Sequence, residues 1–149
     1  MSNFLYYKQS DNVKFRYASE GSAGLDVSAT QAYKLYPGES ALVSTGLHIS
    51  ADFSLPEPLS WAVQVWPRSG LSIKNNIETG AGLIDSDYRG EIKIHLYNHG
   101  SQVVDIKEGD YIAQLVFCAV IPPSKISFVE KMELDDTERG EKGFGSSGR

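Results

Sequence analysis

The feature that most constrains the fold of this chain is a succession of short runs in which apolar and polar residues alternate. Such alternation is the period of a β-strand with one buried face. The alternation is clear at 13–17, 61–66 and 92–97, and further strand-like segments fall at 33–36, 41–50, 102–106 and 111–117, with turn residues between them. The sequence shows no substantial helix-period segment, no repeat and no domain linker. It therefore predicts an all-β sandwich or barrel.

Composition limits the size, the compartment and the partners. A chain of 149 residues that is 41% hydrophobic can bury the core of one domain without disulfides, and its single cysteine, Cys118, is expected to be a small buried hydrophobe. The sequence lacks a signal-peptide pattern and a membrane-length apolar run, so we expect a soluble, cytoplasmic protein with no membrane partner. A net charge of -5 argues against nucleic-acid binding. An anionic ligand would need a few well-placed cations and a metal.

The stretch 80–91, GAGLIDSDYRGE, predicts two short strands joined by a tight acidic turn. Asp85 and Asp87 are turn-forming carboxylates, and Gly90 is expected to provide a backbone angle that other residues resist. One interpretation is a solvated turn. The other is a functional site, because glycines on both sides indicate a close approach to the backbone.

Three further stretches carry polar groups suited to phosphate. Arg68 and Ser69 stand where a strand stops at Pro67, and Gly70 is expected to allow a sharp bend into a helical turn whose free N–H groups face an anion. A capped turn with an exposed arginine is the alternative. Asp26 lies among small residues that let the backbone approach a neighbour, and it is otherwise a turn aspartate. Gln114 is a polar residue in an apolar strand, where it either satisfies a core group or points into a site.

The composition changes over residues 135–149, which are rich in glycine, serine and charge. A disordered terminus is one interpretation. The other is a lid over a nucleotide, in which Phe144 stacks on the base while Arg139 and either Ser146 or Ser147 hold phosphates.

Five motifs in this order resemble those of the trimeric dUTP diphosphatases (dUTPases). They are AGLD at 23–26, PRSG at 67–70, GLIDSDYRG at 82–90, GDYIAQ at 109–114 and RGEKGFGSSG at 139–148. One motif alone would be weak, whereas five in ordered spacing make chance similarity improbable.

The resemblance implies a jelly-roll-like β fold in a homotrimer. It divides the chain into a β domain over 1–134 and a mobile arm over 135–149 that closes over a neighbouring subunit's site. It also implies Mg²⁺-dependent hydrolysis of dUTP to dUMP and pyrophosphate, which keeps uracil out of DNA and supplies dUMP for dTMP synthesis.

The same resemblance implies roles for individual residues. Asp85 would hold and deprotonate the attacking water, and Asp26 would support the metal through water. The ring of Tyr88 would leave no room for a 2′-hydroxyl. The implied substrate-binding residues are Arg68, Ser69, Gly70, Thr79, Leu83, Ile84, Asp85, Tyr88, Lys93, Gln114, Arg139, Phe144, Gly145, Ser146 and Ser147.

Three positions depart from the family's usual motifs. Asn76 and Lys142 stand where glycine is usual, and Tyr111 stands where arginine is usual. Two other functions stay open: an enzyme related to dCTP deaminase, and a dUTPase-like regulatory module that binds a protein through the loop at 52–59.

Overall fold

The structure is a computed structural model that describes residues 3–10 and 12–141. Within them lie one α-helix, one 3₁₀ helix and eleven strands. The helix α1 spans Ser69–Asn75 and the 3₁₀ helix spans Pro123–Lys125. The strands are β1 Phe4–Gln9, β2 Phe15–Arg16, β3 Leu25–Ser28, β4 Tyr33–Leu35, β5 Ser40–Asp52, β6 Ser60–Pro67, β7 Ile77–Gly80, β8 Leu83–Asp85, β9 Ile92–Asn98, β10 Val104–Ile106 and β11 Tyr111–Val120.

The strands form two larger antiparallel sheets and one two-stranded sheet. The larger sheets have the orders β1-β5-β9-β7 and β2-β3-β11-β6-β8, and β10 pairs with β4. One apolar core takes side chains from both larger sheets, among them Ile94 and Leu96 of β9 and Val63 of β6. Along β9 the burial alternates as the sequence predicts, because successive side chains of a strand point to opposite faces.

The first strand is not the one that the sequence indicates. The first strand among the described residues is β1, whereas the predicted strand at 13–17 is reduced to the two residues of β2. Strand β1 is an edge strand in which Phe4, Tyr6 and Tyr7 are all about half exposed. Because neither of its faces is fully buried, its sequence lacks the alternation that identifies a strand.

The prediction that residues 80–91 form a hairpin is wrong. Strand β8 pairs with β6, whereas β9 pairs with β5 and β7, so the acidic turn joins strands of different sheets. The turn residues specify a reversal of the chain. They do not specify which strand each arm pairs with, since that depends on partners elsewhere in the sequence.

Helix α1 ends at Asn76, one of the departures from the family motifs. Asn76 adopts the left-handed conformation with φ 54° and donates its N–H to the carbonyl oxygens of Leu71 and Ser72. Asparagine tolerates this conformation better than most residues, which explains how it replaces the usual glycine. In the part of the chain that the structure describes, no helix is long and apolar enough to cross a membrane.

Candidate active site

The structure brings the predicted residues together in two separate groups. The arginine cluster consists of Arg16, Asp26, Arg68, Tyr111 and Gln114. The turn pocket lies between the sheets around Asp85 and Tyr88. Phe144, Gly145, Ser146 and Ser147 lie outside the described residues, and Arg139 lies in an exposed turn.

The arginine cluster is built on strand register. Arg16 of β2 is the cross-strand partner of Asp26 on β3, and Asp26 is the partner of Gln114 on β11. Directly paired residues project from the same face of a sheet. Asp26 is only 7% exposed, and its Oδ1 lies 3.2 Å from Arg68 Nε while its Oδ2 lies 3.9 Å from Arg16 Nε. Two cations therefore compensate one buried carboxylate.

Arg68 is anchored at two points. Besides its contact with Asp26, it donates from Nη1 to the carbonyl oxygen of Tyr111 at 3.2 Å. A guanidinium has five N–H donors, and these contacts use two of them. The side chain is one-third exposed, so its outer edge can meet a ligand.

Gln114 is the cross-strand partner of Asp26, and its Nε2 donates to the carbonyl oxygen of Pro67 at 3.0 Å. A Cβ atom at Gly24 would lie 2.9 Å from the Cβ of Gln114 and would overlap its Oε1. The small residues before Asp26 thus allow the close approach that the sequence indicates, and the approaching group is Gln114.

The residues predicted around Arg68 are only partly as expected. Ser69 and Gly70 form the exposed start of α1, where Arg68 occupies the N-cap position without a side-chain capping bond. The predicted helical turn after Pro67 is confirmed as α1, but Gly70 lies within this helix and its φ is not left-handed, so the bend does not depend on a glycine-specific conformation.

The turn pocket is a cavity of about 290 Å³ beside the acidic turn. Asp85 is exposed at the end of β8, and the N–H of Tyr88 donates to its carbonyl oxygen at 3.1 Å, which closes the turn. The cavity also has a cationic residue, Lys93 of β9. Its lining residues are Leu42, Ala81, Leu83, Ile84, Asp85, Tyr88, Glu91, Ile92 and Lys93.

The strands β7 and β8 are edge strands of the two larger sheets, and Ala81 and Gly82 connect them. An edge strand presents unpaired backbone donors and acceptors along one side. The carbonyl oxygen of Gly82 accepts a hydrogen bond from the N–H of Val65 at 2.7 Å, which holds the connection against β6. Thr79 of β7 pairs with Leu96 and is not among the residues that line the cavity.

The position of the Tyr88 ring explains why residue 90 is a glycine. Its hydroxyl donates to the carbonyl oxygen of Glu91 at 2.9 Å, which folds the ring over Gly90. A Cβ atom at Gly90 would lie 2.5 Å from the Cζ of Tyr88 and would overlap the hydroxyl. The φ of Gly90 is not left-handed, so the expected special backbone angle is wrong and lack of space is the reason for glycine.

Glu91 is a residue of the pocket that the sequence reasoning missed. Its Oε1 accepts hydrogen bonds from the hydroxyl of Ser44 and, at 2.9 Å, from the N–H of Gly46, while its Oε2 lies 3.7 Å from Lys93 Nζ. The first two partners lie in the irregular part of β5. They are more than forty residues away in the sequence, so no local pattern indicates the contact.

Burial raises the pKa of Glu91, but the hydrogen bonds from Ser44 and Gly46 and the charges of Lys93 and His48 lower it further, so the net pKa lies below the ordinary 4.5. A lowered carboxyl pKa stabilises the fold above the unfolded-state pKa, and this contribution is lost as the pH falls through the folded-state pKa. We expect Glu91→Gln to reduce the free energy of unfolding near neutral pH by about 1–2 kcal/mol. The difference from the wild type should shrink below about pH 4.5, as urea unfolding at several pH values would show.

The matched control is Glu108→Gln, the same chemical change at an exposed glutamate beyond β10. It should change stability by less than about 0.5 kcal/mol at either pH. A Glu91→Gln effect of equal size at acidic and neutral pH would contradict the role of the charge.

The arginine cluster and the turn pocket do not meet within one chain. Asp85 pairs with Ala62, which pairs with Cys118 of β11, and Gln114 lies four residues before Cys118. Strand dimensions place Asp85 and Gln114 about 13 Å apart along the strands and about 10 Å apart across them, which gives about 16 Å in all. One phosphorus atom therefore cannot touch both groups of the same subunit.

The fold is shared with solved dUTPases. The structure of the G164S mutant of the Staphylococcus bacteriophage 80alpha dUTPase with dUpNHpp aligns with a TM-score of 0.82 and 28% identity, covering 99% of this chain and 100% of that one. The predicted all-β fold is thereby confirmed.

Sequence comparison gives the family. The model of the dUTPase family matches residues 12–148. The deoxyuridine 5′-triphosphate nucleotidohydrolase of Zymomonas mobilis is 46% identical over 134 residues, which covers 89% of this chain and 86% of the relative. That of Candida albicans is 48% identical over 120 residues, which covers 78% and 74%.

The chain therefore belongs to the dUTPase family. The predictions of a dUTPase and of a hydrolase of nucleotide metabolism are confirmed at the level of the family. The match favours this hydrolase over the alternative related to dCTP deaminase.

Proposed function

We propose that this protein hydrolyses dUTP to dUMP and pyrophosphate in the cytoplasm, at sites shared between the subunits of a homotrimer. This reaction would keep uracil out of DNA and supply dUMP for dTMP synthesis. The observation that supports the proposal is that the candidate catalytic and phosphate-binding residues of one chain lie in two separate places. The turn pocket is a cavity lined by the carboxylate of Asp85. The arginine cluster contains the guanidinium of Arg68 and the amide of Gln114, and Gln114 lies about 16 Å from Asp85.

A second copy of the chain would bring the two halves together. Support for an assembly comes from the segment after β11, where Phe128, Val129, Met132 and Leu134 are each at least 77% exposed. A group of large apolar side chains without cover is typical of an interaction surface. In a trimer, the turn pocket of one subunit would face the arginine cluster of another, and the arm at 135–149 would close over the site.

Asp85 is the residue that activates water in this proposal. A triphosphate repels hydroxide, so the attack on phosphorus needs a positioned water, a base beside it and cations that neutralise the phosphate oxygens. The carboxylate of Asp85 is exposed at the end of a short paired strand, which can present it to a water. Arg68, Ser69 and Gln114 of another subunit would hold the phosphates.

The donor set around Asp26 fits Mg²⁺ held through water. Among the described residues, no group of three or more His, Cys, Asp or Glu side chains could hold a metal ion by itself. Mg²⁺ usually keeps several waters and needs only one or two carboxylates together with substrate phosphates. Asp26 would supply the carboxylate, and the bound ion would neutralise phosphate charge. Arg68 and Arg16 keep this carboxylate in place by ion pairing.

The base would be recognised by the edge strands. Uracil presents an acceptor, a donor and an acceptor along its pairing edge, and the backbone from Thr79 through Leu83 to Ile84 can complement that pattern. Cytosine would leave groups unpaired there, at a cost of about 1–3 kcal/mol each. The ring of Tyr88, held by its bond to Glu91, would exclude a 2′-hydroxyl, and Lys93 would add a positive charge to the pocket.

The arm would complete the site. Arg139, Ser146 and Ser147 would close over the γ-phosphate, Phe144 would stack on the base, and Gly145 would let the backbone approach. Stacking on an aromatic ring suits any base, so the selectivity for uracil would remain with the edge strands.

The experiment that tests this function is pyrophosphate release from dUTP, dTTP, dCTP and UTP with Mg²⁺ present. We expect a preference for dUTP of at least about a hundredfold over each competitor, because a site built for one hydrogen-bonding pattern leaves groups unpaired with another. Ammonia released from dCTP with dUTP untouched would instead establish a deaminase.

A second candidate is the regulatory module. The structurally similar phage 80alpha dUTPase, which aligns with a TM-score of 0.81 and 27% identity, was studied as one of the phage dUTPases that control transfer of virulence genes by a G protein-like mechanism. The loop at 52–59, mostly exposed here, would be the binding surface. Absence of turnover with all four nucleotides would favour this candidate.

A further inference from the structure

We infer that Arg16 is a further phosphate-binding residue, which acts beside Arg68 on the same nucleotide. This inference rests on the proposed dUTP site. The feature that carries it is the position of both guanidinium groups over one aromatic ring. The centre of the Arg16 guanidinium lies 4.3 Å from the centroid of the Tyr111 ring, and that of Arg68 lies 5.6 Å from it.

The charges of the cluster do not balance. Asp26 carries one negative charge and has two arginines beside it, of which Arg68 is within hydrogen-bonding distance at 3.2 Å and Arg16 is farther away at 3.9 Å. Arg68 thus provides most of the charge compensation for the carboxylate of Asp26. Arg16 brings a second cation to a cluster that has one carboxylate, in a protein whose net charge is -5. In such a background, an anionic ligand depends on cations placed at its site.

The ring contact leaves the hydrogen-bonding edge of Arg16 available. A guanidinium over an aromatic ring uses its face for the cation–π attraction, whereas its N–H donors lie in the plane and point outward. The side chain of Arg16 is 54% exposed, against 33% for Arg68. Arg16 is therefore held in place while its donors can still reach phosphate oxygens.

Tyr111 gives a reason for the departure in the fourth motif. The usual arginine there is replaced by a ring, and that ring supports a guanidinium that comes from β2. Because Arg16 and Asp26 are cross-strand partners, the strand register places the cation beside the predicted metal-supporting carboxylate. The positive charge is retained in the cluster and is supplied by a different strand.

The test is Arg16→Ala, with binding measured for a non-hydrolysable imido analogue of dUTP and for dUMP. We expect the dissociation constant for the triphosphate analogue to rise about tenfold, the usual effect of losing a charge-assisted contact. The dissociation constant for dUMP, which lacks the outer phosphates, should change by less than about twofold. An equal loss of affinity for both ligands, or no loss of affinity for either, would overturn the inference.

Lys34→Ala is the matched control. Lys34 forms an exposed ion pair with Asp105 at 3.5 Å, so its removal changes the net charge equally at a distance from the cluster. Wild type and Lys34→Ala should turn over dUTP alike. If they do and Arg16→Ala binds the analogue equally well, only the inference on Arg16 fails. If the wild type itself does not hydrolyse dUTP, the proposed function fails instead.

Further variants separate phosphate binding from a structural role. Arg16→Lys keeps the positive charge but loses the planar guanidinium. We expect the dissociation constant for the triphosphate analogue to rise about threefold. Tyr111→Leu removes the ring on which Arg16 stacks and should also weaken binding of the triphosphate analogue. Tyr111→Phe keeps the ring and should bind the analogue as the wild type does. Because Arg16 is exposed, the melting temperature of Arg16→Ala should stay within about 2 °C of the wild type. Equal binding by Tyr111→Leu and Tyr111→Phe would contradict the role of the ring.

Discussion

Replacement of Asp85 by asparagine is expected to lower the turnover of dUTP by about a thousandfold while the nucleotide still binds. Asparagine has nearly the same shape but cannot accept a proton, and a general base contributes about 10²–10⁴-fold to a rate. The turn should survive, because its closing bond uses the carbonyl oxygen of Asp85 and not the carboxylate. Pyrophosphate release would measure kcat, and calorimetry with the imido analogue would measure binding.

Asp87→Asn is the control for this variant. Asp87 is exposed in the same turn and lies two residues away, so the substitution makes the same chemical change outside the predicted base position. Its activity should stay within about threefold of the wild type. A near-normal rate for Asp85→Asn, or equal losses in both variants, would contradict the role of Asp85.

Mixing Asp85→Asn with Arg68→Ala extends the same experiment to the shared site. Each variant alone should be nearly inactive. If the turn pocket and the arginine cluster of one site come from different subunits, random co-assembly would give about a quarter of the sites both intact halves. Recovery of activity after co-refolding would support the shared site. No recovery, with mixed trimers shown to form, would place each site within one chain.

Deletion of residues 139–149 is expected to reduce kcat/KM by about a hundredfold or more without unfolding the β domain. All described residues from 123 to 141 are exposed, so the core does not depend on this end of the chain. A lid that excludes water and holds phosphates contributes to the reaction and not to the packing. The melting temperature should therefore remain within about 2 °C of the wild type.

Phe144→Ala is the narrower variant for the arm. Loss of one aromatic–base stack weakens binding by about 1–3 kcal/mol, so we expect a loss of about tenfold or more in kcat/KM and a smaller effect than that of the deletion. A truncated protein with near-normal kinetics would contradict the closing role of the arm. A truncated protein that is unfolded would contradict the independence of the β domain.

Much of the local structure could be predicted from the sequence. The alternation of Ile92, Ile94 and Leu96 indicates the inward face of β9, and all three side chains are buried. Asp85 and Tyr88 share one pocket because they belong to one turn, and residues so near in sequence need no distant partner to meet. Strand β1 escaped prediction because its exposed aromatic residues do not alternate.

The contacts that depend on distant partners could not be predicted in the same way. Glu91 binds Ser44 and Gly46 across a sheet, and a glutamate after a turn carries no sign of such partners. The stacking of Arg16 on Tyr111 likewise joins residues that are far apart in the chain. Only the pairing of the strands brings these side chains together.

The sequence by itself determined most of the inner strands and which of their faces turn inward, and it supplied the acidic and cationic side chains of the candidate site. Alternation and turn chemistry act over a few residues, and any antiparallel partner satisfies them equally well. Only the tertiary structure decided that β8 and β9 join different sheets and that Asp85 lies about 16 Å from Gln114 of its own chain. The physical reason is that ladder partners and core contacts come from residues far away in the sequence, whose choice depends on burying all the apolar faces together.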